Sequence, residues 1–149
     1  MAFCRWLSGR LGEEIRLPTE WEWQQAATGG DPANVYPWGP EWDATRANTY
    51  ESSLGRTTAV GLYPRGSWPG GPLDMSGNVE EWCLNEPENP KRIGTKGDCP
   101  RVRRGGSWTF DRVNARAALR DWLNPSSRRD NLGFRVSRPS PISPGRSDL

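Results

Sequence analysis

Apolar residues recur at helical spacing at the start of the chain. Phe3, Trp6 and Leu7 share one face of a helix over residues 2–10, and the glycines that follow are helix-ending signals. The pattern therefore predicts an amphipathic helix that begins almost at the first residue.

A second helical pattern follows Thr19. Thr19 stands three residues before Glu22, which is the spacing of a capping box, and Gly29–Gly30 would stop the helix. We expect a structural helix that packs through Trp23 rather than one that carries a functional site.

Turn residues dominate residues 31–71, where no apolar run is long enough for a helix. We expect an ordered long loop with one short strand at residues 58–62. Loops of this length are usually functional or tethered. We expect Trp38, Trp42 and Trp68 to tether this loop, together with a bound cation.

Short apolar runs bordered by glycine predict a small sheet. Residues 73–82 are typical of a turn that leads into a strand, and residues 101–108 and 131–136 are predicted as adjacent strands of an antiparallel sheet. The Pro/Ser-rich residues 139–149 are predicted to be a disordered tail or linker.

Composition excludes several classes of function. The 149 residues have a net charge of +2 and contain no histidine, which removes the usual general base and every histidine metal site. The three cysteines lack CxxC spacing, so we expect buried free thiols, with a Cys83–Cys99 disulfide as the alternative. No stretch approaches the roughly 20 apolar residues of a membrane-spanning helix.

Charge is distributed unevenly along the chain. Residues 101–135 contain nine arginines and three aspartates, which predicts a basic face near the carboxyl end. The stretch has no lysine and no DNA-binding motif, so nucleic acid is an improbable partner.

The acidic turn at residues 73–82 is a candidate metal site. Its carboxylates and turn carbonyls are the oxygen ligands that Ca²⁺ prefers. The side chains of Asp74 and Glu81 and the carbonyls of Gly77 and Val79 would supply half of a coordination shell. A solvated acidic turn explains the same residues equally well.

Five ordered motifs resemble the formylglycine-generating-enzyme/sulfatase-modifying-factor family: RLPTEWEWQQAA, YPWG, DMSGNVEEW, RGGSW and NLGFRV. The resemblance covers roughly residues 3–138. It implies an α+β fold of the C-type-lectin-like kind, with little regular secondary structure and bound calcium. Residues 1–138 would be the carboxy-terminal part of such a domain, fused to further domains in a longer parent chain.

The resemblance also implies that catalysis is absent. Catalytic members of the family bind copper through two cysteines that follow the GGS motif, and those positions hold Phe110 and Ala115 here. Cys83 and Cys99 precede the motif and do not take that role. A branch of iron-dependent sulfoxide synthases uses histidines, which this chain lacks. We therefore expect no copper and no enzyme activity.

The family's second calcium site matches Asp74, Gly77, Val79 and Glu81, the same four residues that the acidic turn indicates. A first calcium site would use Asn48 and Thr49, but the later aspartate of that site is missing. The resemblance thus implies calcium as a structural cofactor at the second site.

The segment RGGSW…NLGFR is also similar to the variable proteins of diversity-generating retroelements. In that branch a fixed skeleton of Gly, Arg and Asn residues carries scattered positions that mutate and bind ligand. The corresponding positions here are Thr109, Phe110, Asp111, Arg112, Val113, Leu119, Asp121, Trp122, Leu123, Ser127, Arg129 and Asp130. Phe110, Trp122 and Arg129 would be contact anchors.

These observations predict a noncatalytic module that binds a protein or other macromolecular ligand through residues 109–130. An ordinary noncatalytic relative in which Leu119, Trp122 and Leu123 are core residues is one alternative. An oxidase of the formylglycine-generating type, or a structural domain that binds a protein substrate, is the other. No membrane segment or secretion signal is visible, so a cytoplasmic location is the default expectation.

Overall fold

The structure is a computed structural model, and it describes residues 1–95 and 97–139. Two helices and four short strands, separated by long loops, are its regular elements. They are α1 (Ala2–Leu11), α2 (Glu20–Thr28), a 3₁₀ turn (Tyr50–Ser52), β1 (Glu80–Trp82), β2 (Arg101–Arg104), β3 (Arg120–Leu123) and β4 (Leu132–Gly133). The α+β, C-type-lectin-like fold class is thereby confirmed.

Both helices begin and end where the local signals predict. The Thr19 hydroxyl accepts a hydrogen bond from the Glu22 amide, and the Glu22 carboxylate accepts one from the Thr19 amide, so the capping box of α2 is formed. Gly12 and Gly29 follow the two helices in the left-handed conformation, with φ of 69° and 64°. That conformation is one that glycine adopts without steric cost.

The four strands form one mixed sheet in the order β3-β2-β1-β4. Strands β1 and β2, and β2 and β3, pair antiparallel, whereas β4 lies parallel to β1. The prediction that residues 101–108 and 131–136 pair directly was wrong, because β1 lies between them. Glu80 and Glu81 on β1 form ion pairs with Arg103 on one side and Arg135 on the other.

The core lies between α2 and the sheet. Its buried members are Trp23, Ala27, Met75, Cys83, Val102 and Ala117. Cys4 is also buried, whereas Cys99 is exposed on a loop and no disulfide joins it to Cys83. The expectation of buried free thiols is confirmed for two of the three cysteines and wrong for Cys99.

The long loop from residue 31 to residue 71 is held by its aromatic residues. The Trp68 indole nitrogen donates to the Ala26 carbonyl at 2.9 Å, while Trp38 and Trp42 pack against Tyr36. The predicted tether is confirmed for Trp68, whereas the contacts of Trp38 and Trp42 lie within the loop itself.

The strand predicted at residues 58–62 does not form. The amide of Thr58 donates to the Asn78 side chain, and the amide of Gly61 donates to the Asp74 carboxylate. Gly61 also has a φ of 79°, which is incompatible with an extended strand. Side-chain acceptors therefore replace a strand partner here.

In the part of the chain that the structure describes, no helix is long and apolar enough to cross a membrane. The predicted disordered tail falls almost wholly at residues 140–149, which lie outside the described residues.

Candidate ligand-binding surface

Residues 109–130, here called the display segment, follow a tight glycine turn. Gly105 and Gly106 have φ of 93° and 66°, and a Cβ atom on Gly106 would collide with the backbone of Asn114. The Gly77 amide donates to the Gly105 carbonyl at 2.7 Å. Only glycine fits this turn, which places the beginning of the display segment against its own later residues.

Buried small residues fix the middle of the display segment. Ala115 and Ala117 have no exposed surface. The Ser76 hydroxyl donates to the Ala115 carbonyl at 2.6 Å, and the Ala117 amide donates to the Val35 carbonyl at 2.8 Å. The backbone at this point is therefore anchored from below.

Arginine side chains brace the segment further, as the sequence predicted. Arg120 Nε lies 2.6 Å from a carboxylate oxygen of Glu20, which is buried on α2. Arg116 and Arg128 donate to nearby backbone carbonyls, those of Val113 and of Pro125 and Ser127. Each bond holds the chain without using the side chains at the predicted contact positions.

Residues 109–113 present side chains from a fixed backbone. Thr109, Asp111, Arg112 and Val113 are exposed, and Phe110 is half-buried. The Phe110 carbonyl accepts from the Tyr50 amide at 2.9 Å, and the Arg112 amide donates to the Glu51 carboxylate at 2.8 Å. In addition, the Tyr36 hydroxyl donates to the Arg112 carbonyl at 3.2 Å.

Sequence reasoning missed Tyr36 and Glu51 as supports of this surface. They lie 76 and 61 residues away from Arg112 in the chain. No local pattern signals such a contact, since it depends on how the long loop folds back.

Residues 119–123 point to two different sides of the sheet. Successive side chains of a strand alternate between its faces. On β3, Asp121 pairs with Arg103 on one face, whereas Trp122 lies beside Val102 on the other. Trp122 is 54% exposed, and Leu119 and Leu123 are half-buried. Trp122 is thus not a core residue, but it does not share a face with Asp121.

Asp121 is joined to a buried charge cluster. Arg103 is almost fully buried and bonds to both Glu80 and Asp121, the latter at 2.6 Å. Burial raises the pKa of Glu80 to about 7; the charges of Arg103 and Arg129 oppose this rise and that of Asp121 adds to it. Position 121 therefore has a structural partner as well as an exposed side.

Residues 127–130 return to the first part of the display segment. Arg129 and Asp130 are exposed and Ser127 is half-buried. The side-chain amide of Asn131 donates to the Thr109 hydroxyl at 2.9 Å, which brings residues 129–130 close to residue 109. The structure thus brings together residues at the two ends of the display segment, while Trp122 lies on the opposite side of the sheet.

Arg135 contacts two of the four predicted calcium ligands, Asp74 and Glu81. Glu81 accepts hydrogen bonds from the Trp23 indole at 2.7 Å and from two nitrogens of Arg135. Arg135 also donates to the carbonyls of Leu73 and Asp74. With Arg135 in this position, Glu81 has no unoccupied carboxylate oxygen, so the residues as arranged do not fit a calcium ion.

Calcium binding stays a prediction, and it requires Arg135 to move. Gly77 and Val79 lie in the same turn as Asp74, but the Asp74 carboxylate accepts from the Gly61 amide at 2.6 Å. Across residues 1–95 and 97–139, no group of three or more His, Cys, Asp or Glu side chains is placed to hold a metal ion.

Phe110 and Ala115, at the positions where the resemblance implies copper ligands in catalytic members, carry no metal-binding group. Phe110 is half-buried, and Ala115 is fully buried under the display segment. Burial raises the pKa of the Cys83 thiol to about 12, so this thiol stays protonated at neutral pH and is a poor nucleophile.

Comparison with known proteins is consistent with this geometry. The family described as sulfatase-modifying factor enzyme 1-like domain matches residues 1–139. A serine/threonine-protein kinase of Chlamydia pneumoniae is 39% identical over 83% of this chain and 21% of its own length. The inactive C-alpha-formylglycine-generating enzyme 2 of Mus musculus is 36% identical over 91% of this chain and 45% of its own length.

Among solved structures, Treponema denticola variable protein 1 superimposes with a TM-score of 0.72 at 30% identity. The match covers 85% of this chain and 49% of that protein. The chain therefore spans about a fifth to a half of the length of these relatives.

Proposed function

Because this chain belongs to the family of sulfatase-modifying factor enzyme 1-like domains, we propose that it is a noncatalytic binding module whose display segment contacts a protein ligand. The observation that carries this proposal is the contrast between backbone and side chains at residues 109–113. The backbone bonds to Tyr36, Tyr50 and Glu51, while four of the five side chains are exposed.

A fixed backbone with exposed side chains suits recognition. A rigid scaffold that positions exposed loop residues is the usual arrangement of binding sites in proteins. Aromatic and arginine side chains contribute most to binding free energy at interfaces, and the display segment presents Trp122, Arg112 and Arg129 to solvent. Little conformational entropy would be lost in the backbone on binding.

The relatives support a noncatalytic function. The mouse relative is named as inactive, and the Treponema structure is named as a variable protein. In this chain Phe110 and Ala115 replace the two copper-binding cysteines that the family resemblance implies. We propose calcium only as a structural ion with no part in recognition, and its binding at Asp74, Gly77, Val79 and Glu81 requires Arg135 to leave Glu81.

The competing function, a formylglycine-generating oxidase, has a direct test. We expect no aerobic conversion of cysteine to formylglycine in a sulfatase-motif peptide when the chain is supplied with copper. Peptide mass spectrometry measures the product. The double variant Phe110→Cys/Ala115→Cys restores the two cysteines and tests whether their absence alone explains the lack of activity. Conversion by the unmodified chain would contradict the binding-module proposal.

A further inference from the structure

A groove lies in the long loop, outside the display segment. Its walls contain two tryptophans and two arginines. The lining residues are Asn34, Trp38, Arg46, Arg65, Ser67 and Trp68, with Pro64, Pro69, Gly70, Gly71 and Leu73 completing it. No step of the proposed function uses this groove.

The aromatic walls are held in place by their own polar atoms. Trp68 donates its indole N–H to the Ala26 carbonyl, and a Cβ atom on Gly29 would lie only 3.0 Å from the Trp68 ring. Trp38 donates its indole N–H to the Glu41 carbonyl at 2.9 Å and stacks on Tyr36 at 5.4 Å. Both indoles thus present apolar surface to the groove without an unpaired N–H.

The groove has an excess of positive charge. Arg46 is neutralised by Asp43 at 2.8 Å and also donates to the Arg65 carbonyl, so it braces the loop. Arg65 is exposed, and among residues 1–95 and 97–139 it has no carboxylate partner within ion-pair distance. The lining contains no aspartate or glutamate.

We propose that this groove binds a small aromatic carboxylate. The carboxylate pairs with the Arg65 guanidinium, which matches its two oxygens with a planar fork of N–H donors. The ring packs on the fixed indole surfaces of Trp38 and Trp68. A cationic ligand is disfavoured because no unpaired carboxylate lines the groove.

The test uses phenylacetate as the probe and its neutral analogue phenylacetamide as the comparison. In ¹H–¹⁵N spectra of the whole chain, we expect saturable shifts of the Trp38 and Trp68 indole signals with phenylacetate. The neutral amide should bind more weakly by up to about fivefold, the upper end of the effect measured for exposed ion pairs.

Arg65→Gln should weaken phenylacetate binding to the level of the amide, whereas Arg5→Gln, which removes an exposed arginine on α1, should leave it unchanged. Both variants keep the tryptophans, so folding is monitored by the same indole signals. Absence of shifts at Trp38 and Trp68, or equal affinity in the Arg65→Gln variant, would overturn the assignment.

Discussion

At the scale of single residues, arginine–carboxylate pairs connect the sheet to the segments around it. Glu81 is 6% exposed and holds both Arg135 and the Trp23 indole. Removal of one partner from a buried ion pair leaves an uncompensated charge, which is more costly than the pair was worth. Substitution of Glu81 or Arg135 should therefore reduce stability, although neither residue is proposed to contact the protein ligand.

We expect Glu81→Ala to reduce the free energy of unfolding by about 3 kcal/mol or more, because it strands Arg135 in a largely buried site. Urea unfolding at neutral pH measures this loss. Because this loss comes from the Arg135–Glu81 pair and not from calcium, it should persist in chelator. A loss confined to calcium-containing buffer would contradict this reading of the ion pair.

Asp74→Ala is the variant that tests calcium itself. If calcium binds as proposed, it raises the melting temperature of the wild type, and Asp74→Ala removes that increase without stranding a buried arginine. A wild-type melting temperature that is equal in calcium and in chelator would rule the ion out.

Glu80 should make stability depend on pH. Burial raises its pKa to about 7 from a usual value of 4.5, so the folded state keeps a proton that the unfolded state has lost. Its contribution to stability therefore falls as pH rises from about 4.5 to about 7, and does not change further above that. Urea unfolding from pH 5 to pH 8 measures how the free energy of unfolding changes with pH. We expect Glu80→Gln to flatten this dependence and Glu88→Gln, at an exposed position, to leave it intact. The same pH dependence in the wild type and both variants would contradict the assignment to Glu80.

At the scale of elements, helix α2 depends on contacts between neighbouring residues, whereas the sheet depends on contacts between residues far apart in the chain. The limits of α2 depend on contacts between neighbours in the chain: Thr19 with Glu22 at the start and Gly29 at the end. We expect Thr19→Ala to cost about 1 kcal/mol of stability, and Thr57→Ala, at an exposed loop position, to cost much less. Thermal unfolding of both variants tests this, and equal losses would show that the cap has no special effect.

This difference explains which parts of the fold could be predicted from sequence. The two helices and the glycine-bordered ends of the display segment carry local signals. The order of the strands does not, because β1 is placed between β2 and β4 by ion pairs that join Glu80 to Arg103 and Glu81 to Arg135 across 23 and 54 residues. The supports of Arg112 were missed for the same reason.

At the scale of the whole molecule, a small core supports a large irregular surface. The core lies between α2 and four short strands, and hydrogen bonds from distant loops fix the display segment above it. Trp122 and Asp121 lie on opposite faces of β3, so the display segment offers two patches rather than one continuous face. A single ligand would engage residues 109–113 and 127–130 together, with Trp122 as a separate contact.

The central claim is that most side chains at the predicted contact positions can change while the scaffold residues cannot. The most direct measurement is a library in which Thr109, Phe110, Val113, Trp122, Arg129 and Asp130 are randomised, displayed on yeast, and selected first for protease resistance and then for binding to hen lysozyme. A matched library randomises six exposed positions of α1.

We expect most members of the first library to keep the protease resistance of the wild type, and lysozyme binders to arise from it and not from the α1 library. Asn131→Ala, which removes a scaffold residue that is 8% exposed, should lose resistance in the same assay. General loss of folding when the six display positions change, or binders that arise equally from both libraries, would contradict the account.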